Sequence, residues 1–160
     1  MARRVFFSFH FERDIFRVNQ VRMSNVIAGP DRAGFFDHSE YEEAKKKNSS
    51  AIDRMIRTKL FGTTVTIVLI GTETASRPWV QREIELSLEQ KNGFLGIHIH
   101  HLKDHFQKAD FFQGPKPTVP WAVPFPSYNW DGDLARFSRE IESAGVRSDR
   151  WREAGEISLF

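Results

Sequence analysis

The chain has 160 residues, 40% of them hydrophobic, which is enough for one compact domain with its own core and too little for two ordinary ones. Basic and acidic side chains number 23 and 21, so the net charge of +2 reflects a small excess rather than a basic stripe, and no nucleic acid partner is expected. The absence of cysteine excludes disulfides, thiolate zinc sites and a cysteine nucleophile, and leaves the redox compartment open.

Arg3-Arg4 followed by Val5-Phe6-Phe7 is too short an apolar run for a signal peptide, and no stretch approaches membrane-spanning length. A cytoplasmic protein with no membrane association is the expectation. Arg4 to Phe9 reads as a first buried strand, and Glu12 to about Met23 as a helix with Ile15, Val18 and Val21 or Arg22 sharing faces. Gly34-Phe-Phe-Asp37 reads as a second, short strand. Ser39-Glu-Tyr-Glu42 and Ser50-Ala-Ile-Asp53 both have capping-box spacing, so two helices are predicted in succession. Ile52, Met55, Ile56 and Leu60 make the second of these amphipathic, and Gly62 ends it. Lys45-Lys46-Lys47 is the only dense basic run; at a helix C-terminus it complements the dipole and reads as a solvated face.

Thr64-Val-Thr-Ile-Val-Leu-Ile70 is rich in β-branched residues and lacks polar alternation, which marks a strand covered on both faces at the centre of a parallel sheet. The helix that follows is predicted to be capped by Ser76, with Arg77 and Pro78 in its first turn. Val80, Ile84 and Leu88 form its buried stripe, and Trp79 and Glu83 lie one turn apart on the adjacent stripe. Gly93 to Ile99 reads as a fourth strand, a fifth edge strand is predicted near Trp121 to Phe125, and Leu134, Phe137 and Ile141 mark a last helix capped at Asp131 or Asp133 and stopped at Gly145.

Strands alternating with helices give an α/β fold with a parallel sheet, and placing the first strand beside the third gives a flavodoxin-like order with its switch point between them. Ligands of such sheets bind at the carboxyl ends of the strands. Ser8-Phe9-His10 would then face the loop Gly71 to Ser76, with Trp79 and Glu83 behind it. The first loop has no Gly-rich turn, so neither a dinucleotide fingerprint nor a Walker loop is present, and the absence of an aspartate after Ile70 argues against a phosphoacceptor receiver. His98 and His100 would share a strand face and His101 and His105 a helical turn, but without an accompanying carboxylate set no metal site is expected. Residues 106–130, with Phe106, Phe111, Phe112, Trp121 and Trp130, form an irregular excursion within the single domain. It reads either as a lid, a binding loop or an interface, or as a cover for the sheet edge. By composition alone, Glu83 beside Arg82, Glu85, Glu89 and Lys91 is a surface carboxylate, and Trp79 a packing residue.

Ser76-Arg-Pro-Trp79-Val-Gln-Arg-Glu83-Ile after an apolar strand resembles the Trp-x-x-x-Glu segment of TIR domains. Four blocks are similar to the TIR-like ThsB branch of the Thoeris antiphage proteins: Arg4-Val-Phe-Phe-Ser-Phe-His10; Phe16-Arg-Val-Asn-Gln-Val-Arg22; Gly34-Phe-Phe-Asp37 with Glu42-Glu-Ala-Lys-Lys46; and Val68-Leu-Ile-Gly71 through Gly96-Ile-His98. They cover about the first hundred residues in order, and the chain beyond Lys103 shows no match. The resemblance implies a TIR fold of about five strands that binds NAD as substrate, needs no separate cofactor, and breaks the nicotinamide–ribose bond. Glu83 would be the catalytic residue, with Ser8, Phe9, His10, Asp37 and Trp79 lining the pocket. A cyclic ADP-ribose type product would act on a downstream effector in response to a phage trigger, and a homo-oligomer would complete the site. Ser8-Phe9-His10 departs from the acidic-aromatic first box of animal TIR domains, which counts against adaptor signalling more than against NAD chemistry. The competing readings are a non-enzymatic TIR-like module that senses phage or self-associates, and a nucleoside-processing transferase that also sets a glutamate at a ribose.

Overall fold

The computed structural model of the chain describes residues 3–22, 33–34 and 47–155. Five strands, β1 (Val5–Ser8), β2 (Ala33–Gly34), β3 (Val65–Ile70), β4 (Gly93–His98) and β5 (Ser127–Asn129), form one sheet in the order β2-β1-β3-β4-β5. Every pairing is parallel, with Val5 opposite Val65, Val65 opposite Gly93 and Gly96 opposite Ser127. The flavodoxin-like order and its switch point between β1 and β3 are therefore present.

The four described helices are α1 (Phe11–Arg22), α2 (Ser49–Leu60), α3 (Pro78–Glu89) and α4 (Leu134–Ala154). Because side chains alternate along a strand, each strand feeds both layers. Val5, Phe7, Val65, Ile67, Leu69, Leu95 and Ile97 pack against Val18 and Val21 of α1 and Phe137, Ile141 and Ala144 of α4. On the other face Phe6 meets Ile52, Ile56 and Leu60 of α2, and Val68, Ile70 and Phe94 meet Val80 and Ile84 of α3. Full burial of each such side chain stabilises the fold by about 1.5–3 kcal/mol, and this two-sided burial is why β3 carries no polar alternation.

Several boundaries differ from the sequence expectation, each for a local reason. The cap of α2 is Asn48, whose Oδ1 accepts the Ala51 N–H at 2.8 Å, so the Ser50 box lies inside the helix. Ser76 closes a 3₁₀ turn over Thr74–Ser76 by donating to the Glu73 carbonyl at 2.9 Å, and α3 starts on Pro78 without a side-chain cap. Pro78 at the first helical position has no N–H to satisfy, which reduces the need for one. Helix α4 is capped by Asp133 and runs through Gly145 to Gly155, which adopts φ +76°. Gly145 is a packing glycine: a Cβ there would overlap the Arg3 side chain, which reaches across to Glu142 and Asp149. The edge strand lies at 127–129 rather than near Trp121, which is exposed, because Tyr128 and then Trp130 supply the alternation that reaches the core. His101 to His105 forms a turn and no helix. The expected strand residues 35–37, the helix after Ser39, and Lys45 and Lys46 lie outside the described residues, as does Asp37.

The irregular segment is tied down by polar contacts. Arg17, fully buried on α1, donates to the carbonyls of Leu102 (2.8 Å) and Lys108 (3.1 Å) and pairs with Asp14 (2.8 Å) and Asp110 (3.3 Å). Thr72 Oγ1 donates to the Phe112 carbonyl at 2.9 Å, and Gly114 lies so close to the Gly71 carbonyl that a Cβ would collide with it. The 102–114 stretch is thereby laid over the carboxyl end of β3.

Candidate functional site

At the carboxyl end of β1, Phe6 and Ser8 point to the α2/α3 face while Phe7 and Phe9 point to the other. Helix α3 crosses the former. Its buried positions Val80, Ile84 and Leu86 seat it on the sheet, and the same rotation turns Glu83 inward, leaving the neighbouring Glu85 and Glu89 exposed. Ser8 Oγ donates to Glu83 Oε1 at 3.0 Å, with Ser8 completely buried and Glu83 only 2% exposed.

The turn carrying Glu83 is fixed from behind by a polar seam. Ser87 Oγ donates to the Glu83 carbonyl at 2.7 Å and accepts from Thr66 Oγ1 of β3 at 2.8 Å, and Asn92 Nδ2 donates to Thr66 Oγ1 at 3.1 Å and to Thr63 Oγ1 at 3.0 Å. Each buried hydroxyl and amide of this seam has a partner, so α3 is held to β3 by directional bonds as well as by apolar contact. Arg82, expected beside Glu83, instead pairs with Asp53 of α2 and with Glu85, and Glu89 pairs with Arg57. The carboxylate that composition marked as a surface group is thus the buried one of its helix.

Trp79, one turn before Glu83, is half-buried against the cluster of Phe6, Ile52, Ile56, Leu60 and Leu86. Phe9 is buried in the opposite layer and stacks on Phe11 at 6.0 Å between ring centroids. His10 is half-buried at the mouth of the switch point. Burial, followed by the charge of Arg77, holds its imidazole below the usual range, and its Nδ1 is buried without a hydrogen bond. The structure therefore joins Ser8 to Glu83, sets Trp79 on the same face, and directs Phe9 to the other.

Charged residues that the sequence did not single out crowd the rim, around the Gly71–Ser76 loop that it did. Arg13 lies 3.1 Å from Glu73 and donates to Asp110 at 2.8 Å, and Arg77 pairs with Glu73 at 3.3 Å. Asp14 is completely buried, and burial raises its pKa against the lowering effect of Arg17. A Cβ on Gly71 would overlap the Asp14 carboxylate, so glycine is required there for the carboxylate to lie against the end of β3. The one sequence signal for this cluster was the charged pattern at Glu12, Arg13 and Asp14 directly after the first strand.

The histidines lie at the end of β4. His98 Nε2 is 3.1 Å from Ser127 Oγ, and His101 Nε2 is 2.6 Å from the Trp130 carbonyl. Burial, then the charges of His100, Lys116 and His101, push His98 down to about 4, which keeps it neutral at physiological pH. Among the described residues no three His, Cys, Asp or Glu side chains group as a metal site, and no helix is long and apolar enough to cross a membrane.

Comparison with known proteins bears on the same region. The family described as "Thoeris protein ThsB, TIR-like domain" matches residues 6–104, the stretch that runs from within β1 past the end of β4 and includes Glu83. The protein of Bacillus cereus (strain MSX-D12) named "Putative cyclic ADP-D-ribose synthase ThsB1" is 46% identical over 119 residues, 73% of this chain and 62% of that protein. The chain thus aligns with somewhat less than two thirds of the length of this curated relative. With the family match spanning more than half of the chain on a five-stranded parallel sheet of the expected order, the protein belongs to the ThsB family of Thoeris proteins, as a TIR-like domain.

Proposed function

We propose that this domain takes NAD as substrate, needs no further cofactor, and cleaves the nicotinamide–ribose bond with Glu83 as its catalytic residue, yielding a cyclic ADP-ribose type product. The observation that carries the reading is the buried Glu83 carboxylate held by Ser8 at the end of β1, beside the switch point of the sheet. The name of the Bacillus cereus relative, a cyclic ADP-D-ribose synthase, supports it.

The chemistry suits a single carboxylate. Nicotinamide is cationic in NAD and leaves as a neutral ring when the C–N bond breaks with both electrons, so no general acid is needed. Positive charge builds on the ribose, and a carboxylate placed against it stabilises that oxocarbenium-like state. Burial strengthens the field of Glu83, because little water screens it. Capture of the cation by an adenine nitrogen closes the ring of the product, and capture by water gives ADP-ribose. A site that holds water away favours the first. Trp79 offers the aromatic face nearest to Glu83 along α3 for stacking a base. His10 and Asp37 are proposed to line the pocket with Ser8, and Phe9 to support the loop from the other layer.

In this reading the product acts on a separate effector once phage is present, and association of copies completes the site. Glu83→Gln tests the core of the proposal. Incubated with NAD at high protein concentration, the wild type is expected to release nicotinamide, and the variant to lose that release while keeping its unfolding midpoint; full release by the variant would refute the assignment. A second reading, a non-enzymatic module that recognises a phage component, draws on Phe106, Phe111, Phe112 and Trp121, which are 69–92% exposed. It predicts that phage protection in cells survives Glu83→Gln and fails when these aromatics are replaced by serine.

A further inference from the structure

Beyond Glu83, the mouth of the switch point carries a second arrangement of charges. Helix α1 starts at Phe11, shortly after the end of β1, and α3 starts at Pro78, past the 3₁₀ turn Thr74–Ser76 that follows β3. Among the described residues no side chain caps α3. Arg13 stands on the first turn of α1 and Arg77 at the start of α3, and one carboxylate, Glu73, is shared between them at 3.1 and 3.3 Å. The three side chains are 33%, 42% and 46% exposed, so this anion position faces solvent, unlike the buried Glu83.

The hydrogen bonding of the trio is incomplete. Among the described residues, Arg13 Nε and Arg77 Nε are both buried without a hydrogen-bond partner, the first despite its closeness to Glu73, and His10 Nδ1 likewise has none. Each guanidinium meets the shared carboxylate through a single nitrogen, Nε of Arg13 and one terminal nitrogen of Arg77, so Glu73 fills only part of their donor capacity; a guanidinium has five N–H donors and matches phosphate oxygens two at a time. Glu73 directly precedes the three-residue 3₁₀ turn Thr74–Ser76 and is held by these two surface ion pairs, each weak on its own. Asp110 binds the other side of Arg13 at 2.8 Å and is itself fixed by Arg17, so it orients Arg13 without filling the cleft.

We propose that Arg13 and Arg77 are the diphosphate-binding subsite of this cleft, and that Glu73 occupies it as an internal anion until the pyrophosphate of a dinucleotide displaces it. The spacing is compatible: Arg77 directly precedes α3, and from Pro78 to Glu83 the helix rises about 7.5 Å at 1.5 Å per residue, a separation on the scale of a ribose between phosphate and carboxylate. The identity of the ligand as a dinucleotide rests on the NAD reading above; the anion site rests on the rim geometry.

The decisive experiment is calorimetric titration of the full chain with inorganic pyrophosphate and with ADP-ribose at low salt, using wild type, Glu73→Gln, Arg77→Gln and Glu83→Gln. Removing the competing carboxylate in Glu73→Gln is expected to tighten both ligands by about 3–10-fold, whereas Arg77→Gln weakens both by at least about 10-fold and Glu83→Gln leaves pyrophosphate unchanged. A merely structural role for Glu73 gives the opposite sign, weakening in both variants, and overturns the proposal. Absence of pyrophosphate binding in wild type and Glu73→Gln, or equal binding by Arg77→Gln, also overturns it. A turnover arm separates this from the enzymatic reading: Arg77→Gln is expected to raise KM for NAD about 10-fold with kcat within about 3-fold, and to leave nicotinamide riboside cleavage unchanged, because that substrate has no diphosphate. Full nicotinamide release by Glu83→Gln would refute the enzymatic reading and leave the pyrophosphate result standing, whereas turnover of NAD with an unaltered KM in Arg77→Gln would refute the subsite alone.

Discussion

Replacing Ser8 with alanine isolates the contact on which the candidate site is built. The hydroxyl donates to Glu83 Oε1 at 3.0 Å with both groups buried, so water cannot replace it without a change in packing. A hydrogen bond to a charged group contributes about 1.5–3 kcal/mol, and the loss leaves the carboxylate with one donor fewer in a poorly hydrated place. Ser8→Ala is therefore expected to lower stability by about 2 kcal/mol, which moves a urea midpoint by about 1 M when m is about 2 kcal/mol/M. The assay is a double-mutant cycle: urea unfolding of the wild type, Ser8→Ala, Glu83→Ala and the double variant. In the Glu83→Ala background the serine has no carboxylate to serve, and its removal is expected to cost less than about 0.5 kcal/mol, giving a coupling above about 1 kcal/mol. The same change should slow nicotinamide release about 10-fold through kcat, since a carboxylate freed from its donor is no longer held in one position. A coupling below about 0.5 kcal/mol together with an unchanged kcat would refute the claim that Ser8 positions Glu83.

Three further expectations follow from the same packing. Arg17→Met strands the buried Asp14 carboxylate and frees the 102–110 stretch, with an expected loss of about 3–5 kcal/mol by denaturant unfolding; Asp14→Asn added to it should recover part of that loss. Gly71→Ala forces the Asp14 carboxylate aside and is expected to cost about 1–3 kcal/mol, relieved when Asp14 is also alanine; equal costs in the two backgrounds would contradict the overlap. His98 binds its proton only near about 4 in the folded protein and near 6.5 when unfolded, so the unfolded chain holds more protons between those values and stability falls as pH falls through them, by up to about 3 kcal/mol. Thermal unfolding from pH 7 to pH 4 should show this slope reduced in His98→Asn, and parallel curves would contradict it.

Much of the fold was legible because the signals were local. The apolar run 64–70 could only be a doubly covered strand, and Val80 with Ile84 and Ile52 with Ile56 recur at helical spacing, so β3, α2 and α3 follow from pattern alone. Boundaries failed where two residues of similar chemistry competed. Asn48 against Ser50, and Gly155 against Gly145, differ in which one the packing leaves outside the helix, and neighbours distant in sequence decide that, as Arg3 does for Gly145. The edge strand was displaced because a three-residue strand carries too little periodicity to stand out among prolines and aromatics.

For the site, the sequence by itself determined the rim: parallel order, the switch point between the first and third strands, and a Trp79–Glu83 pair on the helix behind it. Only the tertiary structure decided which carboxylate of α3 is buried, because Glu83, Glu85 and Glu89 are alike in composition and differ only in the face that the Val80 and Ile84 stripe turns to the sheet. Only it brought Ser8, 75 residues earlier, to 3.0 Å from that carboxylate, and gathered Arg13, Glu73 and Arg77 at one opening. Periodicity reports which side of an element is apolar; which polar groups meet across two elements depends on strand order and register, and those are fixed by long-range pairing that no short window contains.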